Sequence, residues 1–371
     1  MKILFIVEHY YPYVGGAEEL WKSLSEALIR EDHEVKVITT LYNKKLSARE
    51  VVNGVDIIRL NVGNRFGFTF FSIPVCIKWA RWADIIHTSS YNAALPARFA
   101  AWATATKSVI TFHEVWGKLW FSLPFLTYVE RVSFFLFEKF LLSLMFDRFV
   151  GVSKYTYESL ISSGVAAQRS TYIYNGLEYS EFKKYKSEKE NTEDFTFCYF
   201  GRPGVSKGLE LLIPAFVALC DKESNLRMKM IISKKPAKVY RWIIRELKNA
   251  GKIDRVDFFH NLTREELLSE VSRSSAVVIP SHSEGFCFVA AEAVALEVPI
   301  LSSGKGALVE VVGGNYLEVL DHTVDSWSLG MLKSKSGKWK FKQPIKYKLE
   351  ETLTTYLELY CQTLKDKRDR N

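Results

Sequence analysis

The sequence predicts an α/β protein built as two doubly wound domains, and three observations carry that expectation. The chain has 371 residues, too many for one ordinary hydrophobic core. Strand-like and helix-like segments alternate along the N-terminal half, the pattern of a parallel sheet with helices on both faces. After a charged stretch poor in apolar residues, Lys183–Asp194, the alternation starts again. The expected divisions are residues 1–180, residues 181–345 and a C-terminal helical segment at 346–371.

In the first half the expected strands are Lys2–Val7, Glu34–Thr39, Val55–Leu60, Asp84–His87, Ser108–Phe112, Arg148–Val152 and Thr171–Tyr174. Ala17–Arg30 separates the first two and places Leu20, Trp21, Leu24, Ala27 and Leu28 on one helical face. The second half repeats the theme with strands at Phe195–Phe200, Met228–Ile232, Val256–Phe259, Ala276–Ile279 and Pro299–Ser302. Helices are expected at Gly208–Cys220, Lys238–Asn249 and Arg264–Ser272, and a last one over Tyr347–Leu364. Two such domains bind ligands beyond the C-terminal ends of their strands, so a central cleft is the expected site.

Composition narrows the class. Apolar content of 48% with 25% charged residues fits a soluble globular protein. The five cysteines are odd in number, scattered and in no metal spacing, which points to a reducing compartment. Met1–Val7 is apolar but stops at Glu8 and His9, too short for a signal peptide. No apolar run reaches the roughly 18 uncharged residues of a spanning helix. A cytoplasmic location follows as the expectation. The net charge of +8 favours an anionic partner. Nucleic acid is a poor candidate, since no recognition-helix or RNP-like motif is present.

The chemistry-bearing residues sit where strands end. Ala276–Ile279 runs into Pro280-Ser281-His282-Ser283-Glu284-Gly285-Phe286-Cys287, and a helix carrying Glu292 follows. A strand, a tight loop and a helix aim free backbone N–H groups above the sheet. Acidic side chains accept from hydroxyl donors, so the combination suits a ligand with both phosphate and many hydroxyls. Gly201-Arg202 and Lys207-Gly208 form a second strand–loop–helix with two cations. These could neutralise a diphosphate and stabilise its charge as it departs. Gly15 and Gly16 precede the first helix, where a backbone can approach a ligand closely, or simply turn. His113 follows the strand Ser108–Phe112, and there an imidazole can meet a sugar hydroxyl or serve only the core. Asn175-Gly176 and Val152-Ser153 read as structural. Two stretches, Arg65–Trp82 and Trp116–Phe149, interleave aromatics with Arg and Lys, which fits either an anionic membrane interface or core packing.

Together, Gly15-Gly16, His113, Gly201-Arg202, Lys207-Gly208 and Glu284-Gly285-Phe286 with Glu292 resemble the family 4 retaining glycosyltransferases of the GT-B fold. The order and spacing match over about residues 1–320, and the last helix resembles one that crosses back to the N-terminal domain. The resemblance implies two Rossmann-like domains around a nucleotide-sugar site. It implies that Arg202 and Lys207 hold the donor diphosphate and that Gly201 borders it. Glu284, with the amides of Gly285, Phe286 and Cys287, would bind donor sugar hydroxyls. Glu292 would accept from the ribose, His113 would contact the C6 hydroxyl, and Gly15 and Gly16 would border phosphate and acceptor.

The implied reaction is transfer from a UDP- or GDP-linked hexose to a glycan or lipid-linked acceptor, with retention, in cell-surface polysaccharide synthesis. The resemblance also implies that no metal or other cofactor is needed, and that no dedicated base is needed, because the leaving phosphate itself takes the acceptor proton on the same face. Departures from the family pattern fall in the nucleotide pocket. Cys287 replaces a Gly, Leu296-Glu297 stands where Cys-Gly is common, Ser233-Lys234-Lys235-Pro236 lacks glycines, and His260 replaces another. They leave the donor base and sugar open and motivate one alternative, a catalytically silent binding subunit; a second alternative is an enzyme with a soluble acceptor and no membrane contact.

Overall fold

The structure, a computed structural model, describes residues 1–13, 15–185 and 194–366. It divides into two compact units. One comprises Met1–Lys118, Val132–Gly176 and the chain from Tyr347 onward; the other comprises Leu119–Arg131 and Leu177–Lys346.

In the first unit the elements follow in order as β1 Lys2–Ile6, α1 Gly16–Arg30, β2 Glu34–Thr40, β3 Arg49–Val52 and β4 Val55–Leu60. Then come α2 Arg65–Phe71, α3 Ile73–Ala80, β5 Ile85–Ser89, α4 Ala94–Thr104 and β6 Lys107–Phe112. The helix α5, Tyr128–Ser143, leads to β7 Arg148–Gly151, α6 Lys154–Ser162 and β8 Ser170–Tyr172. The strands form one sheet ordered β3-β4-β2-β1-β5-β6-β7-β8, parallel except for β3.

Strand residues alternate between two cores. Leu4, Ile6, Ile38, Ile86 and Ile110 pack on one side with α4 residues Ala97 and Ala100. Ile3, Phe5, Val37, Ile85 and Val109 pack on the other with Trp21, Leu24 and Leu28 of α1. Burial on both faces is why these strands read as continuous apolar runs.

The second unit repeats the design. Its elements are β9 Phe195–Gly201, α7 Leu209–Cys220, β10 Leu226–Ile232, α8 Ala237–Asn249, β11 Val256–Phe259, α9 Arg264–Ser272 and β12 Ala276–Ile279. They continue as α10 Phe288–Ala295, β13 Ile300–Ser302, α11 Leu308–Val311, β14 Gly314–Glu318, α12 Val324–Lys335 and β15 Lys340–Lys342. The sheet order is β11-β10-β9-β12-β13-β14-β15, parallel except for the edge strand β15. Each unit is thus the doubly wound α/β domain expected.

The last helix, α13 Leu349–Lys365, belongs to the first unit. Tyr356 and Tyr360 are fully buried against the α1 side of the sheet. The Tyr360 hydroxyl lies 2.6 Å from Nδ1 of His87, and the Tyr356 hydroxyl 3.0 Å from Oγ1 of Thr111. His87 Nε2 closes the network with Thr111 at 2.8 Å. Burial pushes the His87 imidazole down to about 3.

Several expectations need correction. Lys183–Tyr185 is no linker: it ends a 3₁₀ helix, Tyr179–Tyr185, whose Phe182 is buried. Residues 186–193 of the expected linker lie outside the described residues. Strands β3, β14 and β15 and helix α12 were not anticipated. Ser153 caps α6 by accepting from the Thr156 N–H at 3.1 Å, a structural role. In Arg65–Trp82, Phe68 is core, while Trp79 and Trp82 receive the ammonium of Lys36 over their rings. Phe66, Phe70 and Phe71 nevertheless remain exposed. All five cysteines are free thiols. Among the described residues no helix is long and apolar enough to cross a membrane.

Candidate functional site

The chemistry-bearing loops of the second unit leave two neighbouring parallel strands, β9 and β12. Glycine permits their close approach. Gly208 has φ +64°, and a Cβ on it would meet the Pro280 carbonyl oxygen at 1.8 Å. The His282 N–H then donates to the Ser206 carbonyl at 2.7 Å. With the backbones laced together, Lys207 Nζ donates to Glu284 Oε1 at 2.8 Å, and Ser281 Oγ donates to the same oxygen at 2.6 Å.

Glu284 is buried, whereas the Lys207 side chain is about a quarter exposed. A partly open ammonium beside a buried carboxylate offers one cation and one hydroxyl acceptor within a few ångströms. Such a pairing can meet a ligand that carries both phosphate and hydroxyl groups. Arg202 is exposed after Gly201, which adopts φ +126° at the end of β9. Gly285 and Phe286 are buried just ahead of α10, so their amides precede its first turn.

Two of the positions where the resemblance leads one to expect glycine have glycine-like backbones. Cys287 takes φ +74° as the N-cap of α10, and Glu297 takes φ +61° beyond its end. Left-handed conformations cost L-residues about 1–2 kcal/mol, so both positions carry strain that the surrounding loop holds in place. His260 is clamped between the Ile232 carbonyl, 2.7 Å from Nδ1, and the Tyr240 hydroxyl, 3.3 Å from Nε2. The Ser233–Pro236 loop thus borders a packed His–Tyr pair.

Three contributors escaped the sequence reading. Gly306, in the loop after β13, lies against the backbone of Glu284, and the Ala307 N–H donates to the Glu284 carbonyl at 2.8 Å. His282 pairs through Nε2 with Glu210 on α7, and its ring stands 4.6 Å from that of His322. Burial, with His282 alongside, pushes His322 down to about 4. Arg264, the first residue of α9, donates from Nη1 to Glu292 Oε1 at 2.6 Å. A glycine flanked by Gly304-Lys305 after a strand was a legible signal; the two side-chain pairings, each between distant segments, were not.

In the first unit His113 follows β6, its ring perpendicular to that of Trp21 with the centroids 5.8 Å apart. Its Nε2 is buried and has no hydrogen-bond partner among the described residues. Burial pushes the imidazole down to about 4, so it is neutral at pH 7. A buried, unpaired ring nitrogen costs free energy unless something else satisfies it. Gly15 caps α1 without a side chain over the first-turn amides, and Gly16 begins the helix. Glu18 and Glu19 in that first turn already complement its dipole.

Comparison with known proteins agrees with this layout. Residues 14–181 match the Glycosyltransferase Family 4 model, and residues 180–332 match Glycosyl transferases group 1. The chain is 23% identical over 345 residues to a component of the phosphatidylinositol N-acetylglucosaminyltransferase of Homo sapiens, covering 90% of this chain and 68% of that protein. It is 24% identical over 335 residues to the GDP-mannose:cellobiosyl-diphosphopolyprenol alpha-mannosyltransferase of Xanthomonas oryzae pv. oryzae, covering 83% of each. Among solved structures, Anabaena HepE in complex with UDP-glucose superposes with a TM-score of 0.73 at 15% identity, over 98% of this chain and 100% of that one. The sucrose-phosphate synthase of Thermosynechococcus elongatus gives 0.75 at 18% identity, over 97% and 98%. With two doubly wound sheets, a lysine–glutamate pair between adjacent strand ends and both halves matched, the chain belongs to the family 4 glycosyltransferases of the GT-B fold.

Proposed function

We propose that the protein transfers a sugar from a UDP- or GDP-linked donor to a glycan or lipid-linked acceptor, with retention at the anomeric carbon and without a metal. The observation that carries this is the Lys207–Glu284 pair at 2.8 Å, joining residues 77 positions apart. Lys207, with Arg202, holds the donor diphosphate, and Glu284 accepts from the sugar hydroxyls. Glu292 accepts from the ribose, and His113 hydrogen-bonds the sugar through its neutral ring.

In the transfer, the bond from C1 to the diphosphate oxygen breaks and the bond from C1 to the acceptor oxygen forms on the same face. The acceptor proton passes to the departing phosphate. The lysine and arginine offset the charge that develops there, the usual source of the largest catalytic contribution. Nucleotide-sugar use is supported by a structural neighbour in complex with UDP-glucose.

A lipid-linked acceptor is supported by two relatives whose names specify a phosphatidylinositol and a diphosphopolyprenol substrate. It also agrees with the surface of the first unit. Phe71 on α2 is 72% exposed and Trp102 on α4 is 70% exposed, with Phe66, Phe70, Leu136, Phe140 and Met145 exposed as well. Arg65, Arg98 and Lys139 lie among them in sequence. Aromatics beside long basic side chains suit a peripheral site on an anionic membrane, on its cytoplasmic face.

The test is the stereochemistry of transfer, followed by proton NMR of the product anomer from a donor that supports turnover. Retention of the donor configuration agrees with the proposal. Inversion would remove the same-face step, and binding without any turnover would favour the reading as a silent binding partner.

A further inference from the structure

Arg264 is oddly placed for a helix residue. It is the first residue of α9, next to the N-cap Thr263, whose side chain and that of Glu266 form a capping box. A cation at a helix N-terminus opposes the dipole, so the position gives α9 no advantage. Its contacts lie elsewhere. Nη1 donates to Glu292 Oε1 at 2.6 Å, Nε faces Glu181 Oε2 at 3.3 Å, and the guanidinium lies 5.5 Å from the centre of the Phe182 ring. Glu181 and Phe182 belong to the 3₁₀ helix Tyr179–Tyr185, which opens the second unit just after the chain leaves the first at Gly176. A second ion pair, Lys184 to Glu265 at 2.8 Å, fastens the same two segments one residue along.

From this arrangement we infer that Arg264 is a positioning residue for nucleotide recognition. It fixes the angle of the Glu292 carboxylate so that the group accepts from the ribose diol, and it ties that carboxylate to the segment entering the second unit. The inference rests on the reading of Glu292 as the ribose acceptor. Chemically the two tasks are compatible, because a carboxylate has two oxygens and about four lone-pair sites. The guanidinium holds Oε1 in a fixed plane, which a flexible ammonium does less well. Glu292 is largely buried on α10, so without its partner it would settle in another rotamer rather than simply hydrate.

The experiment measures binding of UDP, GDP and their 2′,3′-dideoxy forms by calorimetry, with steady-state kinetics on the matching nucleotide sugar. The proteins are wild type, Glu292→Gln, Arg264→Met, Arg264→Lys and the double variant Arg264→Met/Glu292→Gln. Wild type should bind one of the two diphosphates, with the dideoxy form about tenfold or more weaker, as expected for lost hydrogen bonds to a charged acceptor. Arg264→Met should erase most of that discrimination while leaving dideoxy affinity unchanged. Its KM should rise about tenfold with kcat within about twofold, the pattern of lost uniform binding. Arg264→Lys should recover part of the effect, and the double variant should be no worse than Glu292→Gln, since the residues act as one unit.

Full discrimination in Arg264→Met, with discrimination lost in Glu292→Gln, would overturn this inference alone. Equal weakening of ribo and dideoxy forms would do the same, marking Arg264 as structural. Discrimination intact in Glu292→Gln, or no binding of either diphosphate by wild type, would instead remove the reading of Glu292, and this inference with it.

Discussion

Gly306 packs against Glu284 so tightly that a Cβ on it would meet the Glu284 carbonyl oxygen at 2.4 Å and its amide nitrogen at 2.7 Å. The loop after β13 therefore sets the backbone position of the residue assigned to the donor sugar. Gly251 has the same φ, +65°, but open space around it. Gly306→Ala and Gly251→Ala thus incur a similar left-handed penalty, about 1–2 kcal/mol, while only the first displaces a backbone. Gly306→Ala should lose an additional 1–3 kcal/mol or so in chemical unfolding, and most of its transferase activity. Gly251→Ala should keep wild-type kinetics. Equal effects in the two would show that the contact with Glu284 is unimportant.

Cys287 and Glu297 hold left-handed backbones without being glycine. Glu297→Gly relieves that strain at an exposed position, and the gain is offset in part by the greater freedom glycine has when unfolded. A net stabilisation of roughly 0.5–1 kcal/mol is expected, read as a higher denaturation midpoint. A lower midpoint would indicate that Glu297's own contacts outweigh its conformation.

The buried histidines give stability a defined acid dependence. His87 in the folded chain is pushed down to about 3 by burial, against about 6.5 when unfolded. Between these values the unfolded chain binds a proton that the folded chain refuses, so stability falls as pH drops from 6.5 toward 3. His113, pushed down to about 4 by burial, acts in the same direction over a narrower window. His87 alone should contribute up to about 1.4 kcal/mol per pH unit across that range. His87→Gln should flatten the curve of unfolding free energy against pH by nearly one proton. Parallel curves for wild type and variant would contradict the assignment.

If Lys207 and Glu284 act on the reacting groups, Lys207→Ala and Glu284→Ala should each lose about 3–4 kcal/mol of transition-state stabilisation, hundreds-fold in rate. Circular dichroism should show the fold retained. Chelation of divalent cations should leave wild-type rates unchanged. Turnover close to wild type in either variant would count against the roles given.

Membrane contact is tested by sedimentation with anionic and neutral liposomes at low and high salt. Binding to the anionic vesicles should weaken as ionic strength rises, and Phe70→Ser/Phe71→Ser should reduce it further. Absence of binding would favour a soluble acceptor, and salt-independent binding would place the contact on the exposed aromatics rather than on the basic side chains.

Much of this architecture was legible because both faces of each sheet are covered. Lys2–Ile6, Val55–Leu60, Val256–Phe259 and Ala276–Ile279 stand out as strands wherever apolar residues run together. Strand β3 does not, since Arg49–Val52 is a partly exposed edge. Its signal was the Asn53-Gly54 turn, with φ of +49° and +85°, which joins it to β4 as a hairpin. Strand β15, Lys340–Lys342, is charged and mostly exposed, so no apolar pattern marks it. At the proposed site, Lys207 and Glu284 were singled out from their loops, and their side chains do meet. Arg264 was not, because pairing with Glu292 depends on how α9 and α10 pack, and no local spacing encodes that.

The most direct measurement incubates the purified protein with a panel of UDP-, GDP- and ADP-linked sugars, without acceptor, and follows slow release of the nucleoside diphosphate. Release from one or a few donors is expected, abolished in Glu284→Ala and Lys207→Ala. Binding and hydrolysis of none of them, by protein whose fold is intact, would contradict the proposed function.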